Sequence, residues 1–156
     1  MDGGRSRWFA PAMTEAIAQF LAQPVVAVVG VSRTRGFGSS ALAALRREGQ
    51  RAYPVNEGAD EIAGERCWRS LRDLPERPGA VMVVVPPARA LGVIAECAAL
   101  GIRHVWLQPG AESDAAVALA RGHDIALVHG ECVVMYAQPT GIHRLHRWIH
   151  DWRRRS

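Results

Sequence analysis

From Val25 to Val29 the chain is uninterruptedly apolar, the run ends on Gly30, and the next ten residues, VSRTRGFGSS, are dominated by glycine, serine and arginine. A continuous Val/Ala run is the pattern of a strand buried on both faces. A glycine turn opening into a helix presents free backbone N–H groups to a phosphate. The segment therefore predicts the entrance of a nucleotide-binding βαβ unit. The loop carries Gly30, Gly36 and Gly38, with Ser32, Ser39 and Ser40 around them, but no G-x-G-x-x-G, so the usual dinucleotide fingerprint is broken. A Walker loop is excluded because the chain has no lysine.

The same alternation of apolar run and helical stripe recurs down the chain. Met13, Ile17, Phe20 and Leu21 predict a short leading helix closed by Pro24, covering one sheet face. Ser39 or Ser40 is expected to cap a helix through Leu42 and Leu45 that ends at Gly49, and RAYPV, Arg51 to Val55, reads as the second strand. Asn56 to Gly64 reads as loop, ERCWRSL as a short edge strand, and Leu71 with Leu74 as one helical turn. AVMVVVPPA is a further buried strand, cut short by Pro86 and Pro87 because proline donates nothing to a ladder. Leu91, Ile94, Ala95 and Ala98 then mark a helix closed by Gly101. HVWLQPG is a strand, Ser113 caps a helix reaching Gly122, IALVHG is the last strand, and Ile142, Leu145, Ile149 and Trp152 define a terminal helix. Strict alternation of this kind predicts a doubly wound, mostly parallel Rossmann-type α/β sheet of five or six strands, with helices on both faces.

A length of 156 residues suits one domain around one core. The expectation is a single domain over residues 1–156, with an Arg-rich C-terminal helix from about 140. The formal charge is +4, and the segment from His143 onward already accounts for it, with five arginines against Asp151. A surface built to embrace nucleic acid would spread its arginines along one face. Nucleic-acid binding therefore rests on the tail alone and ranks third among the functional readings. Cys67, Cys97 and Cys132 make neither an even disulfide set nor a C-x-x-C pair. With no apolar leader and no membrane-length apolar stretch, the expectation is a cytoplasmic protein with no membrane partner.

In doubly wound sheets ligands bind beyond the carboxyl ends of the strands. Those ends carry Gly30-Val31-Ser32, Val55-Asn56, Pro86-Pro87-Ala88-Arg89, Gln108-Pro109-Gly110-Ala111 and Gly130-Glu131-Cys132. Arg33 and Arg35 stand within the first loop, where guanidinium forks suit phosphate oxygens, though either alone also reads as a solvated loop cation. A nicotinamide enzyme needs an acidic residue at the end of the second strand to hold the ribose hydroxyls. Asn56 stands there, and Glu57 serves only if the register slips by one. The NAD(P)-binding oxidoreductase reading accordingly ranks second.

These residues resemble the small stand-alone CoA-binding proteins, whose Rossmann-type domain is similar to the N-terminal domain of the succinyl-CoA synthetase alpha subunit. The resemblance is carried by VAVVGVS, SSALAAL, YPVNEG, GERCWRSLRDLP, VVVPPARALGVIAECAALGIRHVWLQPG and GECVVMYAQP, and it covers most of the chain, from Ala16 to Pro139. It implies coenzyme A or an acyl-CoA across the strand ends. It nominates Gly30, Ser32, Arg33, Ser39 and Ser40 for the phosphates and Val55 and Asn56 for the nucleoside. Pro86, Pro87, Gln108 and Gly110 would line the remaining path. The synthetase's phosphorylated histidine belongs to a further domain, so ligase activity does not carry over.

No catalytic set is legible. His143, His146 and His150 share a helical face but neighbour arginines that oppose a cation, and His104, His123 and His129 stand singly beside strands. Cys132, at the rim, is a candidate for a mixed disulfide with coenzyme A, against the more ordinary role of a small residue packed under the terminal helix. Cys97, among alanines, reads as core. Trp152 shares a side with Ile142, Leu145 and Ile149, which favours packing on the body or on a second subunit in a homodimer. The first reading is thus a binding module for coenzyme A or acyl-CoA, serving as sensor, carrier or accessory, with no metal and no reaction evident.

Overall fold

Valine and alanine occupy every position of the first strand, and each is buried, so this strand lies between two layers of helix. The structure, a computed structural model, describes residues 5–32, 36–131 and 133, with side chains from Met13 onward. In chain order the elements are α1 (Arg5–Leu21), β1 (Val25–Val29), α2 (Phe37–Arg47), β2 (Arg51–Val55), β3 (Glu61–Ile62) and β4 (Glu65–Arg66). A 3-10 turn (Leu71–Asp73) leads to β5 (Ala80–Val83), α3 (Pro87–Ala99), β6 (His104–Leu107), α4 (Asp114–Gly122) and β7 (Ala126–Val128). Five strands form one parallel sheet in the order β2-β1-β5-β6-β7. The doubly wound α/β fold expected from the alternation is the fold of the chain.

Strand residues alternate between the two faces. Val26, Val28, Ala80, Met82 and Trp106 pack with Phe20 of α1 and with Leu42 and Leu45 of α2. Ala27, Val29, Val81, Val83, Val105 and Leu107 pack with Ile94 and Cys97 of α3 and with Ala116 and Ala120 of α4. The chain leaves β1 toward β2, then returns to place β5 on the other side of β1. The loops after β1 and β5 therefore diverge and leave a crevice between them.

Several expectations are corrected. The leading helix is longer than its apolar stripe suggests and begins at Arg5. Helix α2 starts at Phe37, with extended Gly36 as its N-cap and no side-chain cap. Ser39 and Ser40 sit inside the first turn instead, their N–H groups bonded to Gly36 O at 3.2 and 3.3 Å. Strand β5 stops at Val83, and Pro86 and Pro87 are the N-cap and first residue of α3, where a missing N–H is harmless. ERCWRSL does not form one edge strand. Glu65–Arg66 pairs back on Glu61–Ile62 in an antiparallel hairpin, and Trp68 makes a parallel bridge to Val55. The hairpin turns at Ala63 and Gly64, both at positive φ, the backbone of a two-residue primed turn. Ser113 caps α4 as expected, accepting from Ala116 N at 3.1 Å. The predicted terminal helix, Cys132, Arg33, Arg35 and the His/Trp-rich tail lie outside the described residues.

Arg46 ties the edges together, donating to Ala52 O at 2.8 Å from Nη2 and pairing with Glu65. From the first residue of β2, Arg51 donates to Glu76 at 3.0 and 2.9 Å, and the Tyr53 hydroxyl donates to the same carboxylate. The hydrogen bonds from Arg51 and then Tyr53 hold the Glu76 carboxyl down at about 2. A carboxyl depressed by folding adds stability that is complete above its ordinary value of 4.5 and vanishes as the pH falls toward 2. Urea titrations across that window should show wild type losing stability more steeply than Glu76→Gln; parallel curves would refute this.

Candidate functional site

The glycine that ends β1 is held where two strand ends touch. Gly30 has φ +109°, and a Cβ there would lie 2.4 Å from Val84 O and 2.9 Å from Val85 Cγ1. Its N–H donates to Val55 O at 2.9 Å, while Val84 N donates to Val29 O at 2.8 Å, so the ends of β2, β1 and β5 are stitched side by side. The first turn of α2 rests on the same corner, since a Cβ at Gly38 would meet Val31 Cα at 3.0 Å and Gly30 O at 3.2 Å. No side chain caps α2, and while Ser39 and Ser40 donate to Gly36 O, the N–H groups of Phe37 and Gly38 precede the helical ladder, the position at which helix N-termini receive anions.

Two openings run along this edge. A cleft of about 600 Å³ lies beyond β2, β1 and β5, walled by Gly30, Ser32, Val55, Asn56, Pro86 and the first three turns of α3. A second, of about 480 Å³, continues beyond β5 and β6 between Phe37, Val84, Pro86, Gln108, Pro109 and Gly110. They share Val84, Val85 and Pro86, so together they follow the carboxyl ends of four neighbouring strands. Of the nominated residues, Gly30, Ser32, Val55, Asn56 and Pro86 gather at the first opening and Pro86, Gln108 and Gly110 at the second. Pro87, Ser39 and Ser40 line neither, and Arg33 is outside the described residues.

Asn56 is committed to the backbone around it. Its Nδ2 donates to Val31 O at 2.8 Å and its Oδ1 accepts from Gly58 N at 2.8 Å, which locks the loop after β2 to the turn after β1. The next residue, Glu57, pairs with Arg89 at 2.7 Å across the cleft mouth. Arg89, Arg69, Glu96 and Phe37 are wall residues that the sequence reading did not nominate. The signal for Arg89 was present in its place directly after Pro-Pro-Ala on the rim. Phe37, 39% exposed, is the one exposed large hydrophobic among the described residues.

Gln108 is 2% exposed and bonds Met82 Sδ through Nε2 at 3.0 Å; its Oε1 is buried without a partner among the described residues. A buried polar atom left this way favours a hydrogen-bonding ligand. Cys67 and Cys97 are both free and buried. Burial first, then the Glu96 charge, pushes the Cys97 thiol up to about 12, so it is inert core as its alanine-rich surroundings suggested. No group of three or more His, Cys, Asp or Glu fit for a metal occurs among the described residues, and none of their helices is long and apolar enough to cross a membrane.

Residues 24–138 match the family model described as a CoA binding domain. Over 81 residues, half of this chain, the sequence is 38% identical to an acetate–CoA ligase (ADP-forming) II of Archaeoglobus fulgidus, and over 79 residues it is 32% identical to an acetate–CoA ligase (ADP-forming) of Methanocaldococcus jannaschii. The matched segments span only 12% and 11% of those ligases. Among solved structures, a conserved hypothetical protein of Pyrococcus furiosus aligns at a TM-score of 0.65 and 34% identity, covering 70% of this chain and 96% of that one. A dinucleotide-forming acetyl-coenzyme A synthetase of Candidatus Korarchaeum cryptofilum aligns at 0.55 and 27% identity, covering 67% of this chain and 25% of that one. On the family match, which takes in most of its length and the whole of the strand-end crevice, this chain belongs to the CoA binding domain family.

Proposed function

We propose that the chain binds coenzyme A or an acyl-CoA along the carboxyl ends of β2, β1, β5 and β6, as a binding module that acts as sensor, carrier or accessory domain. The observation that carries this reading is the pair of adjoining openings that meet at the Gly30 corner. Coenzyme A brings a diphosphate, a 3′-phosphorylated adenosine and a thiol-ended pantetheine arm with two amides. Gly30 and Gly38 let the turn after β1 pack tightly on β5 and on the start of α2, and the α2 N-terminus beside this corner, with extended Gly36 as its N-cap and no side-chain cap, suits the diphosphate. Val55 and the loop that Asn56 braces form the adenosine wall. The second opening, with apolar Phe37, Pro86 and Pro109 and the unpartnered Gln108 oxygen, suits an arm that is mostly hydrocarbon with amide donors. A nicotinamide dinucleotide is less well served, because Asn56 and not an acidic residue follows β2, and the next residue, Glu57, already pairs with Arg89 through one carboxylate oxygen.

Thermal unfolding with coenzyme A, acetyl-CoA, NAD and NADP tests this directly. A ligand at 100 times its dissociation constant stabilises by about 2.7 kcal/mol. For a domain of this size that raises the midpoint by roughly 5–10 °C. Shifts with the two thioester carriers and none with NAD are expected; a shift with NAD alone would reverse the ranking.

A further inference from the structure

The Glu57–Arg89 pair follows the ends of β2 and β5 at the cleft, and it is held more loosely than the other ion pair there. Arg69, the other arginine in the wall, is held twice by Asp60, Nε to Oδ1 at 2.8 Å and Nη2 to Oδ2 at 3.2 Å. Arg89 instead makes one bond, Nη2 to Glu57 Oε1 at 2.7 Å, between side chains that are 53% and 73% exposed. Exposed pairs of this kind contribute little to stability and exchange partners readily. The two residues come from different elements: Glu57 from the loop after β2, Arg89 from the first turn of α3, on opposite sides of the β1–β5 crevice.

We propose that Glu57 and Arg89 form a charge latch that selects a phosphorylated ribose, an inference that rests on the coenzyme A reading above. In a dinucleotide site the acidic residue after the second strand accepts the ribose hydroxyls and rejects a phosphate there, while a neighbouring arginine admits one. Here both devices are present and bound to each other. A 3′-phosphate entering the cleft takes the Arg89 fork with two oxygens, a stronger arrangement than the single carboxylate contact it replaces. The Glu57 carboxylate turns out to solvent. An unphosphorylated ribose gives Arg89 no reason to leave Glu57, so the pair stays closed across the mouth. The latch thus converts one phosphate into a preference for coenzyme A over its dephosphorylated form.

Calorimetric titration of coenzyme A and dephospho-coenzyme A into wild type, Arg89→Ala and Glu57→Gln tests the latch, with unfolding midpoints recorded to establish that each variant is folded. Wild type should prefer coenzyme A, Arg89→Ala should lose about tenfold or more in coenzyme A affinity while dephospho-coenzyme A binds as well as before or better, and the ratio should collapse toward one. Glu57→Gln should strengthen coenzyme A binding by removing the competitor, an opposite shift that a merely structural pair would not produce. If Arg89→Ala weakens both ligands equally or neither, or Glu57→Gln weakens coenzyme A, the latch is overturned while coenzyme A binding stands. If wild type binds neither ligand, the functional reading fails and the latch falls with it.

Discussion

Gly30→Ala is expected to destabilise the fold by about 2–6 kcal/mol, combining a non-glycine residue at positive φ with a forced contact in a packed region. The single added carbon would lie 2.4 Å from Val84 O and 2.8 Å from Val84 C, and both belong to backbone leaving β5 rather than to a side chain that can turn away. Gly49 is the control: it has φ +86° but nothing within 4 Å of the added carbon. Gly49→Ala carries only the conformational part, about 1–2 kcal/mol. Urea denaturation of the two variants separates the effects. Equal losses would mean that the close approach of β1 and β5 is not what requires glycine at position 30. Since domains of this size are stable by about 5–15 kcal/mol, Gly30→Ala stands to remove a substantial share of that stability.

Trp106→Ala should cost about 3–5 kcal/mol, through lost transfer energy and the cavity left behind. The indole, on β6, is fully buried, meets Phe20 edge-to-face at 5.3 Å and 74°, and donates through Nε1 to Glu131 O at 2.7 Å. Trp106 therefore joins β6 both to α1 and to the segment that follows β7. Trp106→Phe keeps most of the volume and forfeits the N–H bond, so it should lose about 1–3 kcal/mol. Thermal melts of the pair measure this; a Trp106→Ala loss no greater than that of Trp106→Phe would show that the cavity closes by repacking.

Much of the architecture was legible in the chain because doubly buried strands leave little choice of residue. VVAVV and RAYPV coincide with β1 and β2 residue for residue. The Ser113 cap and the apolar stripe ending before Gly101 were equally readable, being local hydrogen-bonding and periodicity effects. The start of α2 was not readable, because two serines offered better caps than Gly36 on local chemistry. The approach of Gly38 to Val31 leaves only a bare backbone turn at that corner. The β3–β4 hairpin was hidden because its turn places Ala63 at φ 53°, a conformation that alanine does not advertise.

At the candidate site the division is similar. Gly30, Val55, Asn56, Pro86, Gln108 and Gly110 were named from strand ends, and four neighbouring parallel strands bring them to one rim. Which of their polar groups are already committed was beyond the sequence. Asn56 uses both ends of its amide on the loops it joins, and Gln108 uses one end of its own. The pairing of Glu57 with Arg89 links residues 32 positions apart.

The sequence alone determined the layered sheet and the edge on which a ligand can sit, because burial on two faces and a glycine at a strand end are properties of single residues and their neighbours. Tertiary structure alone decided which charges and amides at that edge are free. That depends on distances between loops that the order β2-β1-β5-β6-β7 brings together, and no local pattern records such distances.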